Sequence, residues 1–231
     1  MKIATGLLCA LGLFLGRSAS AEMISGESER SAAIEFKLGG YQPSVDHEAG
    51  LFGTPFKEFF GDRPMLLFQL EGERMLWQQV GSFGVGASIG YSELYAKSLV
   101  AATGERSSES SGFKVMPLRA LATYRFDYPA LHMGIPLVPY VKGGLAYSVW
   151  WATKGSDTQG QGGQWGYTAI GGLAFMLDFL EPRLAKDFDS DLGVNHSYLF
   201  AEYVYEDINN FGRGGLDLSS RHFMFGLTLE F

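Results

Sequence analysis

Cysteine is almost absent from this sequence: the single residue of this type, Cys9, lies in an apolar stretch near the N-terminus. A run of about 20 apolar residues, the length that a membrane-spanning helix needs, is also missing. Positive charge is in short supply, because 18 lysines and arginines stand against 25 acidic residues, for a net charge of −7. Together these shortages exclude a disulfide framework, a helical membrane protein and a basic nucleic-acid-binding surface.

The first 21 residues have the pattern of an export signal. Lys2 precedes an apolar run over residues 3–16, and a small-x-small sequence ends at Ala21. This pattern predicts a cleaved signal peptide over residues 1–21 and a single mature domain over residues 22–231. Cleavage removes the cysteine and two positive charges, so the mature chain has a net charge of −9 and no thiol for a disulfide, a nucleophile or a metal ligand.

The mature sequence alternates apolar residues with polar or small ones in segments of about 8 to 12, which is typical of strands with two unlike faces. It is also rich in turn-forming and aromatic residues, with 31 glycines and 14% aromatics. The clearest alternation is between Phe83 and Tyr91, where every second residue is glycine or serine. The predicted strands cover residues 32–41, 65–77, 83–91, 116–126, 138–151, 165–177, 197–206 and 221–231.

The connections between these strands favour an all-β, eight-stranded, antiparallel up-and-down barrel. An even number of strands places both ends of the domain on one side, and long outer loops then alternate with short inner turns. Long polar connections follow strands one, three, five and seven, and the glycine-rich residues 155–163 are expected to form a flexible loop. In residues 178–195 apolar residues recur at every fourth position, which predicts a short periplasmic helix.

Alternation alone does not decide which face of each strand points outward, and a barrel with an apolar lumen, like a lipocalin, is the rival arrangement. The other face of each strand carries small and charged side chains, which suit a narrow interior. Aromatic residues on the apolar face gather toward strand ends, as expected for girdles at two membrane interfaces. These residues are Tyr91, Tyr124, Phe126, Tyr147, Tyr203 and Phe231. The sequence therefore predicts a transmembrane barrel in contact with outer-membrane lipid.

The last segment, His222-Phe-Met-Phe-Gly-Leu-Thr-Leu-Glu-Phe231, resembles the C-terminal strand signal of Gram-negative outer-membrane proteins. That resemblance implies recognition by the barrel-assembly machinery, with Phe231 as the assembly signal. Four further segments are similar to a family of uncharacterised outer-membrane β-barrel proteins. They are residues 34–41, 117–127, 138–147 and 198–202. The resemblance implies the fold and an outer-membrane location, and it implies no particular activity.

Six charged residues alternate onto the predicted lumen face: Glu35, Lys37, Glu71, Arg119, Lys142 and Glu202. An isolated buried charge costs several kcal/mol, so we expect these side chains to form ion pairs across the lumen. Such a network would close the narrow interior of an eight-stranded barrel as a structural plug. The alternative is a gate, or a path for protons and ions.

The first outer loop presents Phe56, Phe59 and Phe60 at helical spacing. These rings are candidates for contact with a partner or an apolar ligand, of unknown identity, and the alternative is that they pack the loop onto the barrel mouth. The alternating carboxylates of residues 187–191 lack the glycine and glutamate of a calcium loop, so no metal or cofactor is predicted.

The four histidines, His47, His132, His196 and His222, are not grouped with a nucleophile and an acid, which argues against an enzyme. The preferred hypothesis is a non-enzymatic envelope protein that acts through its scaffold and outer loops. A passage for small or apolar solutes and a lipid-modifying enzyme remain the alternatives.

Overall fold

The computed structural model describes residues 30–48, 51–99, 106–155 and 157–231, so the predicted signal peptide lies outside the described residues. The strands are β1 (Ala32–Tyr41), β2 (Met65–Gln78), β3 (Ser82–Leu99), β4 (Arg106–Arg125), β5 (Leu137–Lys154), β6 (Asp157–Met176), β7 (His196–Asp207) and β8 (Ser220–Glu230). Each strand pairs antiparallel with its neighbours in sequence, and β1 pairs with β8. The predicted closed eight-stranded barrel is therefore confirmed.

The two ends of the barrel differ. Residues 30 and 231 lie at one end, called here the terminal end, and the opposite end is called the loop end. Helix α1 (Pro55–Phe60) lies at the loop end, between β1 and β2, whereas α2 (Tyr128–Met133) and α3 (Pro182–Leu192) lie at the terminal end. In the described parts of the chain, no helix has both the length and the apolar character needed to cross a membrane.

The period-two alternation places the apolar side chains on the outside of the barrel. Phe36 and Phe225 are 53% and 59% exposed, while Glu35 and Glu71 are 2% and 1% exposed. Hydrocarbon is the environment in which such an outer surface is stable, since the ring of eight paired strands is closed and lipid covers its apolar side chains. The rival arrangement, in which the apolar face of each strand would line the lumen, is wrong for this chain.

Side chains fill the interior. A large apolar cluster occupies it toward the loop end, where Leu67, Phe113 and Val115 are nearly inaccessible to solvent. A smaller one, which includes Tyr140 and Phe200, lines β5, β6 and β7 near the terminal end. Buried charges from β1, β2, β4, β5 and β7 take up the space between them.

The hairpins at the loop end are longer than the sequence predicts. The β3–β4 ladder continues to Leu99 and Arg106, and the β5–β6 ladder continues to Lys154 and Asp157. The predictions of a long loop after the third strand and of a flexible loop over residues 155–163 are therefore wrong for residues 92–99, 106–112 and 157–163, which form strands. Outside hydrocarbon a strand needs no apolar face, so serine, glycine and glutamine can continue the same backbone hydrogen bonds.

The extended hairpins form a sheet that projects beyond the rest of the barrel. β2 pairs with β3 only as far as Ser92, and β7 pairs with β6 only as far as Tyr167. We call the projecting parts of β3 to β6 the protruding sheet, which comprises residues 93–99, 106–114, 147–154 and 157–166.

The helix predicted between the sixth and seventh strands is present as α3. It ends at Gly193, whose φ of 68° lies in the left-handed region that favours glycine. The Gly193 and Val194 amides donate to the carbonyl oxygens of Asp189 and Phe188, at 3.0 and 3.2 Å. These two bonds satisfy the last turn of the helix, so the chain can turn sharply into β7.

Candidate functional site

Two lysines hold the centre of a buried ion network in the lumen. Lys37 on β1 places its Nζ atom 3.0 Å from Glu35, 2.7 Å from Glu71 and 3.0 Å from Glu202. Lys142 on β5 lies 2.5 Å from Glu35 and 2.6 Å from Glu71. The β1–β2 register sets the two glutamates directly opposite each other. Because like charges in this position repel, the lysines are what makes the pairing stable.

The network continues toward the terminal end through Arg125 on β4. Its Nη2 atom lies 2.6 Å from Glu35 Oε1, and its Nη1 atom donates to Glu73 Oε1. Both carboxylates and the guanidinium are at least 95% buried. The planar guanidinium therefore binds carboxylates on two strands through two separate nitrogens, whereas each lysine binds its carboxylates through one.

Arg30 closes the terminal end. Its Nη1 atom lies 2.8 Å from Asp127 and 3.4 Å from Glu230, and Tyr198 donates to the same Glu230 carboxylate at 3.2 Å. Burial alone would lower the pKa of the Arg30 guanidinium, but the two carboxylates outweigh burial and raise it. The residue thus ties the segment before β1 into the barrel.

Toward the loop end a separate polar group lies above the two lysines. Arg119 on β4 places its Nε atom 2.6 Å from Glu206 Oε1 and donates through Nη1 to the side chain of Gln69. All three side chains are at least 95% buried. This pair adds a second charged layer across the lumen, among residues of the large apolar cluster, since Ala146 lies opposite Arg119 in the β4–β5 register.

β3 contributes no charge to the lumen, and its glycines leave room for the charged side chains of β2. A Cβ atom at Gly84 would collide with the Glu73 carboxylate, and one at Gly86 would lie 3.3 Å from the Glu73 Cβ. The alternating glycines make this strand recognisable in the sequence. Because they have no side chains, they also leave the space that the Glu73 side chain occupies.

The structure places all six predicted charges in the lumen, but not in one cluster. Five of them touch one another around the two lysines, whereas Arg119 pairs with other side chains. The sequence prediction missed Arg30, Glu73, Arg125, Asp127, Glu206 and Glu230. Glu73, Arg125, Glu206 and Glu230 alternate onto the lumen face in the same way as the predicted charges. Arg30 and Asp127 lie just outside the strands, where alternation gives no signal.

Three carboxylates of the network offer oxygens close enough to share a cation: Glu35, Glu71 and Glu73 lie within 4.8 Å of one another. The protein's own cations already occupy the surrounding space. Lys37 and Lys142 contact the first two carboxylates, and a guanidinium contacts the third. The chemistry of this cluster is therefore charge neutralisation by side chains.

Histidines and serines meet at two places in the described part of the chain, one inside the lumen and one at the terminal end. His222 Nδ1 lies 3.1 Å from Ser220 Oγ, but both side chains are buried inside the lumen. At the terminal end His196 and Ser197 both bind Asp178, at 2.7 and 3.2 Å. In a catalytic relay the hydroxyl of the nucleophile forms a hydrogen bond with the histidine. Here Asp178 contacts both His196 and Ser197, so it acts as a structural link between them.

The three loop phenylalanines divide into two groups. The rings of Phe56 and Phe60 lie 4.9 Å apart in a tilted arrangement and contact the buried ring of Phe113 on β4, at 5.1 and 6.3 Å. Phe59 is 36% exposed at the surface. Helix α1 therefore covers the mouth of the barrel with two rings and leaves the third at the surface.

Comparison with known proteins adds to the evidence for the fold. No protein-family profile and no curated protein matches this sequence. The chain is similar to the outer membrane protein OprG from Pseudomonas aeruginosa, at 13% identity over 90% of this chain and 99% of that chain, with a TM-score of 0.51. At this identity the likeness shows the fold alone, a closed eight-stranded barrel of the outer-membrane type.

Two further solved structures are similar at lower TM-scores. Neisserial surface protein A has 13% identity over 91% of this chain and all of that chain, with a TM-score of 0.48. The outer membrane enzyme PagL has 12% identity over 86% of this chain and 99% of that chain, with a TM-score of 0.43. The resemblance to the uncharacterised barrel family stays a prediction.

Proposed function

We propose that this chain is an integral outer-membrane β-barrel without enzymatic activity, which serves the cell envelope as a scaffold for surface interactions. The outer surface supports membrane insertion, because large apolar side chains face outward on every strand and the barrel has no open edge within that belt. Export by the predicted signal peptide and recognition of Phe231 by the assembly machinery belong to the same proposal.

The filled lumen is the observation that carries the choice of a scaffold over a passage. Charged layers and apolar clusters follow one another along the described interior, and α1 covers the mouth. Eight strands leave an interior just wide enough for side chains. A solute would have to break several buried ion pairs to cross it, and each break leaves uncompensated charge.

The protruding sheet supports a surface role. The short turns of small outer-membrane barrels lie in the periplasm and the longer extensions lie outside the cell. By that rule the terminal end faces the periplasm, while α1 and the protruding sheet face outward. These elements extend beyond the ring of eight paired strands, so their side chains can contact partners outside the membrane.

Three measurements test the proposal. Reconstituted in a planar bilayer, the barrel should give no discrete conductance steps, and regular steps would favour a passage instead. Because the mature chain has no cysteine, Gln161→Cys on the protruding sheet offers a single thiol. A membrane-impermeant maleimide should label it in intact cells, and labelling only after lysis would refute the orientation. Altered lipid A in cells that express the protein would indicate an enzyme.

A further inference from the structure

At the loop end one edge of β3 has no paired strand in the parts of the chain that the structure describes, and α1 packs against part of it. Its pairing with β2 stops at Leu67 and Ser92, yet β3 itself continues to Leu99. Among the described residues, β4 is the sole strand that pairs with β3 beyond Ser92. In an extended strand every second residue directs its N–H and C=O groups to the unpaired side, so this edge can accept another strand.

A cleft of about 550 Å³ lies along that free edge. One wall is formed by Phe59 and Phe60 of α1 with Arg63 of the following segment, and the other wall by Tyr95 and Lys97 of β3. The volume falls in the range of ligand-binding clefts. Aromatic surface, backbone groups and charge therefore meet in one open space.

The wall opposite β3 is held in place by contacts of its own. The Asp46 carboxylate accepts the backbone amides of Phe56 and Lys57, at 2.7 and 2.9 Å, and so fixes the start of α1. Lys57 then pairs with Asp62 at 2.6 Å, and Gln42 donates to the same carboxylate at 3.0 Å. The cleft is thus formed before any partner binds, which lowers the entropy cost of binding.

The charges of the cleft indicate the chemistry of its partner. Asp62 is engaged by its neighbours, but in the described parts of the chain Arg63 and Lys97 form no ion pair with an acidic side chain. Two uncompensated cations beside exposed aromatic rings favour an anionic partner. Glu58 also lines the cleft, so once Asp62 is offset by Lys57, which lies outside the lining, the remaining balance is positive by one charge.

We propose that an extended peptide segment with an acidic side chain binds in this cleft by adding a strand to the free edge of β3. This inference rests on the proposed surface role, because the cleft must face outward to meet such a partner. Main-chain hydrogen bonds would supply the affinity, while Lys97 and Tyr95 would select the side chains opposite them. A free edge distinguishes this mode from binding of a sulfated glycan, which would use the charges and rings alone.

The test uses a designed probe, the fluorescein-labelled peptide Thr-Glu-Thr-Tyr-Thr-Lys-Thr, and the purified barrel in lipid nanodiscs. Placed antiparallel to β3, the peptide sets its glutamate opposite Lys97, its tyrosine opposite Tyr95 and its lysine opposite Glu93. Two further peptides carry N-methyl groups on alternate sets of residues. Fluorescence anisotropy should show binding of the parent and of just one methylated peptide, since one set of amides faces β3 and the other faces away.

A charge exchange tests the register. Lys97→Glu should weaken binding of the parent peptide about three- to tenfold. A peptide with lysine in place of its glutamate should recover that loss. Arg221→Glu on β8 is the matched control, because it also removes an exposed cation near the loop end but lies outside the cleft, over the Tyr205 ring. Its affinity for the parent peptide should equal that of the unaltered protein.

Three results would overturn the inference: no binding of the parent peptide, equal binding of both methylated peptides, or binding of a sulfated oligosaccharide probe in place of the peptide. The assay uses the isolated barrel, so its failure leaves the membrane barrel and its sealed lumen standing. Failure of the thiol-labelling experiment, in contrast, would refute the orientation of the proposed function without changing the affinity measured in nanodiscs.

Discussion

Replacement of Lys37 by methionine should destabilise the barrel strongly. The ammonium group is completely buried and contacts three carboxylates, those of Glu35, Glu71 and Glu202, at 3.0 Å or less. Methionine has a similar length and fits the same space, so the change removes charge with little loss of packing. Lys142 and Arg125 would still contact Glu35, Glu71 would keep Lys142 alone, and Glu202 would lose the lysine that pairs with it.

The expected magnitude follows from the burial of the group. Removal of one partner from a buried ion pair costs about 3–5 kcal/mol, chiefly because the remaining charge is left uncompensated. If that reasoning holds, neutralising a second partner must recover part of the loss. The double variant Lys37→Met with Glu202→Gln should therefore be more stable than the sum of the two single variants predicts, by about 1 kcal/mol or more.

Urea unfolding in phospholipid vesicles, followed by the fluorescence of the four tryptophans, measures these differences. Lys114→Met is the matched control: this lysine lies 3.9 Å from Glu93 with a partly exposed side chain, and its loss should change stability by about 1 kcal/mol or less. Two results would refute the reasoning. One is a Lys37→Met barrel as stable as the control, and the other is strict additivity in the double variant.

Three other predictions concern different parts of the barrel. Asp46→Ala removes the carboxylate that caps α1, so protease cleavage within residues 51–64 should become faster while the melting temperature of the barrel stays the same; equal cleavage rates would contradict this assignment. Gly144→Val should reduce the fraction of barrel that shows heat-modifiable migration, because a Cβ atom there collides with the Ala120 carbonyl oxygen, whereas Gly171→Val, which has open space, should fold normally. The pKa of Asp62 is lowered, first by the hydrogen bond from the neighbouring lysine of α1, so its contact should persist above the ordinary value of 3.8 and be lost as the pH falls through the lower folded value; a carboxyl NMR titration with its midpoint at the ordinary value would disprove the contact.

The membrane part of the fold could be predicted from the sequence because one physical constraint acts on every strand there. Lipid on one side and a packed lumen on the other enforce strict alternation, as in Phe36 between Glu35 and Lys37. That constraint ends at the membrane surface. Residues 157–163 contain glycine and glutamine without an apolar face, so the alternation could not reveal the strand that they form.

The lumen network could be predicted only in part, for a related reason. Alternation identifies which charges face inward, but the height of each charge depends on the tilt and stagger of the strands. Arg119 and Lys142 both face the lumen, yet they bind different partners in different layers. Glu73 alternates onto the lumen face in the same way as Glu71. Only the structure shows that Glu73 lies opposite Gly86, which leaves it room to pair with an arginine.

The seam between β1 and β8 constrains when the ring can close. The Ala32 amide donates to the Phe231 carbonyl oxygen at 2.9 Å, and the Phe231 amide donates to the Ala32 carbonyl oxygen at 2.8 Å. These partners are nearly 200 positions apart, so their meeting carries the largest chain-closure entropy of any strand pair in the molecule. Until it occurs, both outermost strands present bare backbone to any other chain. During folding, pairing of β1 with β8 thus competes kinetically with aggregation, so the first and last strands must be shielded until they meet.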